Sequence, residues 1–147
     1  MSDEDRSRSG LERYPAFLVR RLNQVSTAHF SQVMAENGLD VTPVQFAALR
    51  EIADAPGLDQ GTLASRIACD RVTTGDVINR LVRKKLVERH RSTVDRRSRA
   101  LFVSEDGRDL LASIMPLIDE VQSRLTARLD PAELAQLMAL LNKAVGE

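Results

Sequence analysis

Residues Asp70–Ser104 read DRVTTGDVINRLVRKKLVERHRSTVDRRSRALFVS. Asp70 is a helix-capping residue, and Thr74, Val77, Ile78 and Leu81 then recur at steps of three and four. That spacing predicts a helix over about Arg71–Lys84 with those four facing inward. Val72, Thr73, Gly75, Asp76, Asn79, Arg80 and Arg83 are left on its outer face. Leu86–Arg89 and Ala100–Val103 are short strand candidates, joined by a polar loop that carries Asp95-Arg96-Arg97. A polar-faced helix followed by a basic two-stranded ribbon predicts a winged helix-turn-helix. The helix enters a major groove of duplex DNA while the ribbon tip reaches a neighbouring groove. The order points to a DNA-binding regulator rather than an enzyme.

Charge distribution agrees. The net charge of the 147 residues is zero, yet Arg71–Arg99 holds ten Lys/Arg against three Asp/Glu, and the remainder is acidic by the same margin. A basic patch on an acidic molecule is a footprint for phosphates, although a charge run is also compatible with a plain solvated surface. Hydrophobic residues make up 43% and aromatics 3%, with no Trp, so the core is built from Leu, Val, Ile and Ala in helices packed on helices. The length suits one domain with an oligomerisation segment. One Cys excludes an internal disulfide and suits a reducing cytoplasm. No apolar run approaches membrane-spanning length, and the polar start MSDEDRSRSG lacks a signal-peptide centre.

Outward from the central stretch, Leu11 to about Asn37 reads as a long helix. Leu18, Leu22, Val25, His29 and Val33 form its stripe, Phe17, Phe30 and Met34 widen it, and Gly38 stops it. Thr42-Pro43-Val44-Gln45 is a capped helix start, with Phe46, Leu49 and Ile52 inward and an end near Asp54. Asp59 opens a shorter helix to about Ala68, with Leu63 and Ile67 inward. Ser104 opens a long helix to about Leu129, striped by Leu110, Ile114, Leu117, Ile118, Val121 and Leu125, with Pro116 as a potential kink. Asp130-Pro131-Ala132-Glu133 starts the last helix, lined by Leu134, Leu137, Leu140 and Leu141.

In this order and spacing, Leu63-Ala64, Arg80-Leu81, Leu86-Val87-x-Arg89, Asp95-x-Arg97, Leu101-x-Val103 and Ser104-x-x-Gly107 resemble the MarR family of bacterial transcriptional regulators. The resemblance covers residues 11 to 145. It implies a mainly α fold with a small β-wing: a winged helix-turn-helix over 42–103, flanked by dimerisation helices over 11–37 and 104–147, after a disordered lead-in over 1–10. It also implies a homodimer on a pseudo-palindromic operator, and surplus apolar stripes at both termini agree independently. One departure is Lys85, where the family usually has Gly at the end of the recognition helix. Lys85 is therefore either a strained left-handed residue or part of a different cap.

Within this frame Arg97 is the wing residue expected in a narrow minor groove, with Asp95 orienting it. A surface hairpin ion pair is the plainer reading of the two. Thr73, Gly75, Asp76 and Asn79 are base-edge candidates, and Val72 suits a thymine methyl. Arg71, Arg80 and Arg83 suit phosphates, with a buried-side acid as the rival partner for Arg80. The resemblance further implies a small aromatic acid as effector, bound between the dimerisation helices and the winged part. Tyr14, Phe17, Arg20, His29, Phe46 and Arg50 are candidates for that pocket, supplying rings for stacking and cations for a carboxylate. His29 is equally readable as a hydrogen-bonded histidine of a dimer core. The stretch Gln60–Asp76 is similar to the family's repressors of nicotinate breakdown, which makes a hydroxylated pyridine carboxylate one candidate.

Cys69 reads as a structural thiol. No metal or cofactor motif is present, and no phosphate loop, nucleophile elbow or paired-acid signature supports an enzyme. The expected function is a ligand-responsive repressor. The alternatives are a winged-helix module that binds only protein, or an enzyme acting on a small aromatic acid.

Overall fold

The computed structural model describes residues 10–146 apart from 95–98. Asp95 and Arg97 lie outside the described residues. The described residues form six α-helices: α1 Pro15–Glu36, α2 Pro43–Asp54, α3 Gln60–Arg66, α4 Arg71–Arg83, α5 Glu105–Leu125 and α6 Pro131–Val145. Three short strands, β1 Leu58–Asp59, β2 Val87–Arg91 and β3 Arg99–Val103, form an antiparallel sheet in the order β1-β3-β2.

Several boundaries differ from the sequence expectation. The first helix starts at Pro15, not Leu11, because proline fixes its own φ and suits the first helical position. Gly10–Arg13 forms a separate 3-10 turn before it. The helix α5 ends at Leu125, four residues short of Leu129. The strand β1 is an addition, since two residues carry no readable alternation. It is recruited by β3, with Leu58 opposite Leu101.

Two cores meet at Phe46 and Leu110. One is built mainly from the winged part, with Ala48, Leu49, Ile52, Leu63, Ile78, Leu81, Val87 and Leu101, and Leu111 of α5 completes it. The other joins α1, α2 and α5 through Phe30, Val33, Met34, Val41, Ile114 and Val121. The expected stripe on α1 is buried only at its C-terminal end. Leu18 and Val25 remain 49% and 43% exposed, and α6 buries none of its residues.

Candidate nucleic-acid interface

The two helices of the helix-turn-helix begin with the same device. Asp59 caps α3 and Asp70 caps α4, each accepting from the amide three residues on, Thr62 at 2.9 Å and Thr73 at 2.8 Å. Each Thr hydroxyl also donates to its Asp, at 2.7 Å. The Thr62 hydroxyl and then its amide hold the Asp59 carboxyl below its ordinary range. At Asp70 the Thr73 amide leads and the hydroxyl follows. Both caps are thus charged at neutral pH and face the positive end of a helix.

Both helices also end alike. After α3, Cys69 N–H bonds Ala64 C=O and Ala68 N–H bonds Ser65 C=O, with Ala68 at φ 52°. After α4, Leu86 N–H bonds Leu81 C=O and Lys85 N–H bonds Val82 C=O, with Lys85 at φ 59°. These are Schellman caps, and in each the left-handed position is filled by a side-chain-bearing residue instead of glycine. Of the two readings of Lys85, the structure selects the left-handed one.

Next to this cap, the Ser104 hydroxyl donates to Lys85 C=O at 2.6 Å and accepts from Gly107 N–H at 3.0 Å. Ser104 N–H bonds Leu86 C=O. Gly107 packs so closely here that a Cβ would lie 2.2 Å from the Leu86 carbonyl oxygen and 2.6 Å from Val103 Cγ1. The start of α5 is therefore joined directly to the end of α4.

With both ends fixed, Thr74, Ile78 and Leu81 anchor α4 in the core and its opposite face is open. Arg71, Val72, Thr73, Asp76, Asn79, Arg80 and Arg83 are all exposed, Val72 by 77%. Among the described residues no acid pairs with Arg80, so its rival partner is not found. The Thr73 hydroxyl proton is held by Asp70, which leaves its oxygen lone pairs and methyl. Gly75 is half-buried rather than fully outward. The Gln60 amide of α3 lies over it, and a Cβ at Gly75 would come within 3.0 Å of Gln60 Nε2.

Two arginines outside the expected set, Arg89 and Arg99, border this face. Arg89 on β2 donates through Nη2 to Asn79 Oδ1 of α4. Arg91 lies opposite Arg99 in the β2–β3 ladder, two positions further toward the wing tip. Arg89, Arg99, Asn79, Gln60 and Gly75 line one groove of about 470 Å3. Strand alternation could have suggested these arginines, since Arg89 and Arg91 share the face of buried Val87. On the other face His90 Nε2 lies 3.2 Å from Glu88, with its ring edge-on to Phe102.

The six effector candidates do not close on one site within a chain. Tyr14 stands at the N-cap position of α1 without a side-chain capping bond and is 62% exposed, while His29 stands fifteen residues along. At 1.5 Å per residue that is about 22 Å, beyond the reach of one small acid. Phe17 is half-buried and Arg20 exposed near the Tyr14 end. Phe46 packs against Phe30, ring centroids 6.0 Å apart. Arg50, one turn further along α2, pairs with Asp54 at 3.1 Å and reaches the Met115 sulfur of α5. Cys69 is a half-buried free thiol. No group of His, Cys, Asp or Glu among the described residues is arranged to hold a metal ion. None of the described helices is long and apolar enough to cross a membrane.

An apolar groove of about 300 Å3 runs between α1, α5 and α6, lined by Leu22, Leu125, Leu134, Leu137, Met138 and Leu141. At the C-terminal end of α1, Arg124 of α5 bonds Glu36 at 2.8 Å and also Glu120. The Arg124 hydrogen bond lowers the Glu36 pKa, and Glu36 and Glu120 in turn raise that of Arg124.

The sequence pattern of the MarR family matches residues 39–98. The transcriptional regulator HosA of Escherichia coli is 30% identical over 125 residues, covering 85% of this chain and 90% of that protein. Among solved structures, the PcaV regulator of Streptomyces coelicolor with its natural ligand superposes with a TM-score of 0.84 at 27% identity, over 95% of this chain and 96% of PcaV. BpsR of Bordetella bronchiseptica, whose DNA binding is regulated by 6-hydroxynicotinic acid, gives 0.80 at 28% identity, over 88% and 97% of the two chains. The curated relatives are regulators rather than enzymes.

Proposed function

This chain belongs to the MarR family of transcriptional regulators, and from that premise we propose that it is a homodimeric repressor released from a pseudo-palindromic operator by a small aromatic acid. The open face of α4 supports the DNA reading, because it runs into the basic strands of the wing. Arg71, Arg80 and Arg83 bind phosphates in this reading, and Val72, Asp76 and Asn79 face base edges. Asp95 and Arg97 serve the wing tip. The winged part over 42–103 reads DNA, and the helices within 11–37 and 104–147 pair two copies.

The uncovered apolar surface of α1 and α6 supports the pairing. Met138 and Leu140 are more than half exposed, so covering them gains part of the about 1.5–3 kcal/mol that full burial of such a side chain is worth. For the effector, the ligands of PcaV and BpsR support an aromatic carboxylate, and a hydroxylated pyridine carboxylate is the first compound to try. Phe46 and Arg50, between the two cores, are its leading contacts here. Tyr14, Phe17 and Arg20 would meet a ligand only at the far end of α1, and His29 belongs nearer the Phe30 core.

The test is a shift titration on the intergenic DNA beside the chain's own gene, at several salt concentrations, with and without 6-hydroxynicotinate. Sequence-dependent binding that weakens steeply with salt and is relieved by the acid is the expected result. Binding no tighter than to random DNA would defeat the operator reading and favour a protein-binding module.

A further inference from the structure

We propose that Arg89 is a positioning residue that orients the Asn79 carboxamide, turning its oxygen toward the wing and its NH2 toward the groove. This rests on the DNA-binding reading above and adds to it what one side chain offers the groove. A carboxamide is ambiguous by nature, since its oxygen accepts and its NH2 donates. An asparagine free to present both reads adenine through N6 and N7 together. Here the ambiguity is removed from outside the helix. Arg89 Nη2 donates to Asn79 Oδ1, and a guanidinium has no acceptor, so only the oxygen can face it. Asn79 Nδ2 is left turned away from Arg89, on the exposed face that borders the groove with Gly75, Gln60 and Arg99.

Its partner on DNA is then an acceptor: guanine O6 or N7, adenine N7, thymine O4 or a phosphate oxygen. Cytosine N4 and adenine N6, which are donors, are disfavoured, because the carboxamide oxygen is turned toward Arg89. Arg89 comes from the wing, ten residues further along the chain, so the chemistry of the helix face is set by the strand behind it. Gly75 lies one turn before Asn79, and the Gln60 amide rests in the space a side chain there would fill.

The test is a double-mutant cycle on the full-length protein. The probe is the tightest duplex the wild type selects from a random-sequence DNA pool. Arg89→Met keeps the aliphatic stem and removes the donors. On the wild-type background it is expected to weaken binding about tenfold, the size of one base-edge hydrogen bond. On an Asn79→Ala background it is expected to cost less than about twofold, because its target is gone. Asn79→Asp retains the pair with Arg89 but offers the groove only acceptors. Its reselected duplexes are expected to carry cytosine or adenine donors at the affected position.

Side-chain amide relaxation of Asn79 in the free protein supplies a readout without DNA. The Nδ2 group is expected to be rigid in the wild type and mobile in Arg89→Met. Additive losses, with the salt slope falling equally in both backgrounds, would mean that Arg89 binds phosphate on its own account and would overturn the proposal. So would equal Asn79 mobility in the two proteins. A wild type that selects no sequence defeats the DNA reading itself and the groove contact with it, whereas the relaxation result bears on the Arg89–Asn79 pair alone.

Discussion

The winged part and the terminal helices solve the same packing problem differently. The winged part closes on a core drawn mostly from its own residues, completed by Leu111 of α5, and Leu49, Ile52, Leu63, Ile78 and Leu81 are fully buried. The last helix, α6, has comparable leucine content and buries nothing, with Met138 and Leu140 more than half exposed. Apolar periodicity alone does not tell these cases apart. A stripe records that a face will be covered, and the three-dimensional chain shows whether the cover comes from the same molecule.

Perturbing each side separately sharpens the contrast. The largest effect is expected from Leu137→Glu, on the apolar groove of α1, α5 and α6. A charge at a paired surface is costly to bury, so sedimentation is expected to show a species near 16.3 kDa instead of twice that mass. Operator affinity should fall at least about a hundredfold as one half-site is lost, while the winged part stays folded by circular dichroism. A dimer of unchanged strength would place the pairing surface elsewhere.

Gly107→Ala attacks the junction between the two regions. The added Cβ meets a backbone carbonyl, which cannot rotate aside as a side-chain tip would. A loss of about 3 kcal/mol in urea unfolding is expected, at the upper end for overpacking.

Lys85→Gly has the opposite sign. It relieves a left-handed side-chain-bearing residue and should stabilise the monomer fold by about 1 kcal/mol, read as a rise in the urea midpoint. No gain would mean that the Lys85 stem makes compensating contacts.

The smallest effect is acid sensitivity. Glu36, Asp59 and Asp70 all have lowered pKa values in the fold, so each contributes stability at neutral pH that is lost as pH falls through its lowered value. Asp59→Asn with Asp70→Asn keeps an oxygen for the amide of each cap but gives up the charge and the second oxygen that accepts from the Thr hydroxyl. This double variant is expected to melt below the wild type at pH 7, having no carboxylate charge to contribute, and to lose less on acidification below about pH 4.

Much of this was legible in the residues themselves. Thr42-Pro43, Asp70 and Asp130-Pro131 start helices where their capping chemistry says they should. The inward set of α4 follows from its period. What escaped reading depends on contacts between distant segments. The strand β1 exists because β3 passes beside it, and the partner of Asn79 comes from another element. Gly75 is spacious for Gln60 before it is spacious for any ligand. Full burial on α1 is confined to Phe30, Val33 and Met34, which pack with Ile114 and Val121 of α5.

The Ser104 hydroxyl, bonded at once to Lys85 and Gly107, has a mechanical consequence. It welds the reading helix to the base of a 21-residue shaft. Such a joint cannot absorb a tilt. A few degrees of change in how the shafts of a pair cross would be delivered at the far end as a change of distance between the two reading heads. Fit to a ruler of fixed pitch would then be decided by leverage, at a point remote from any base.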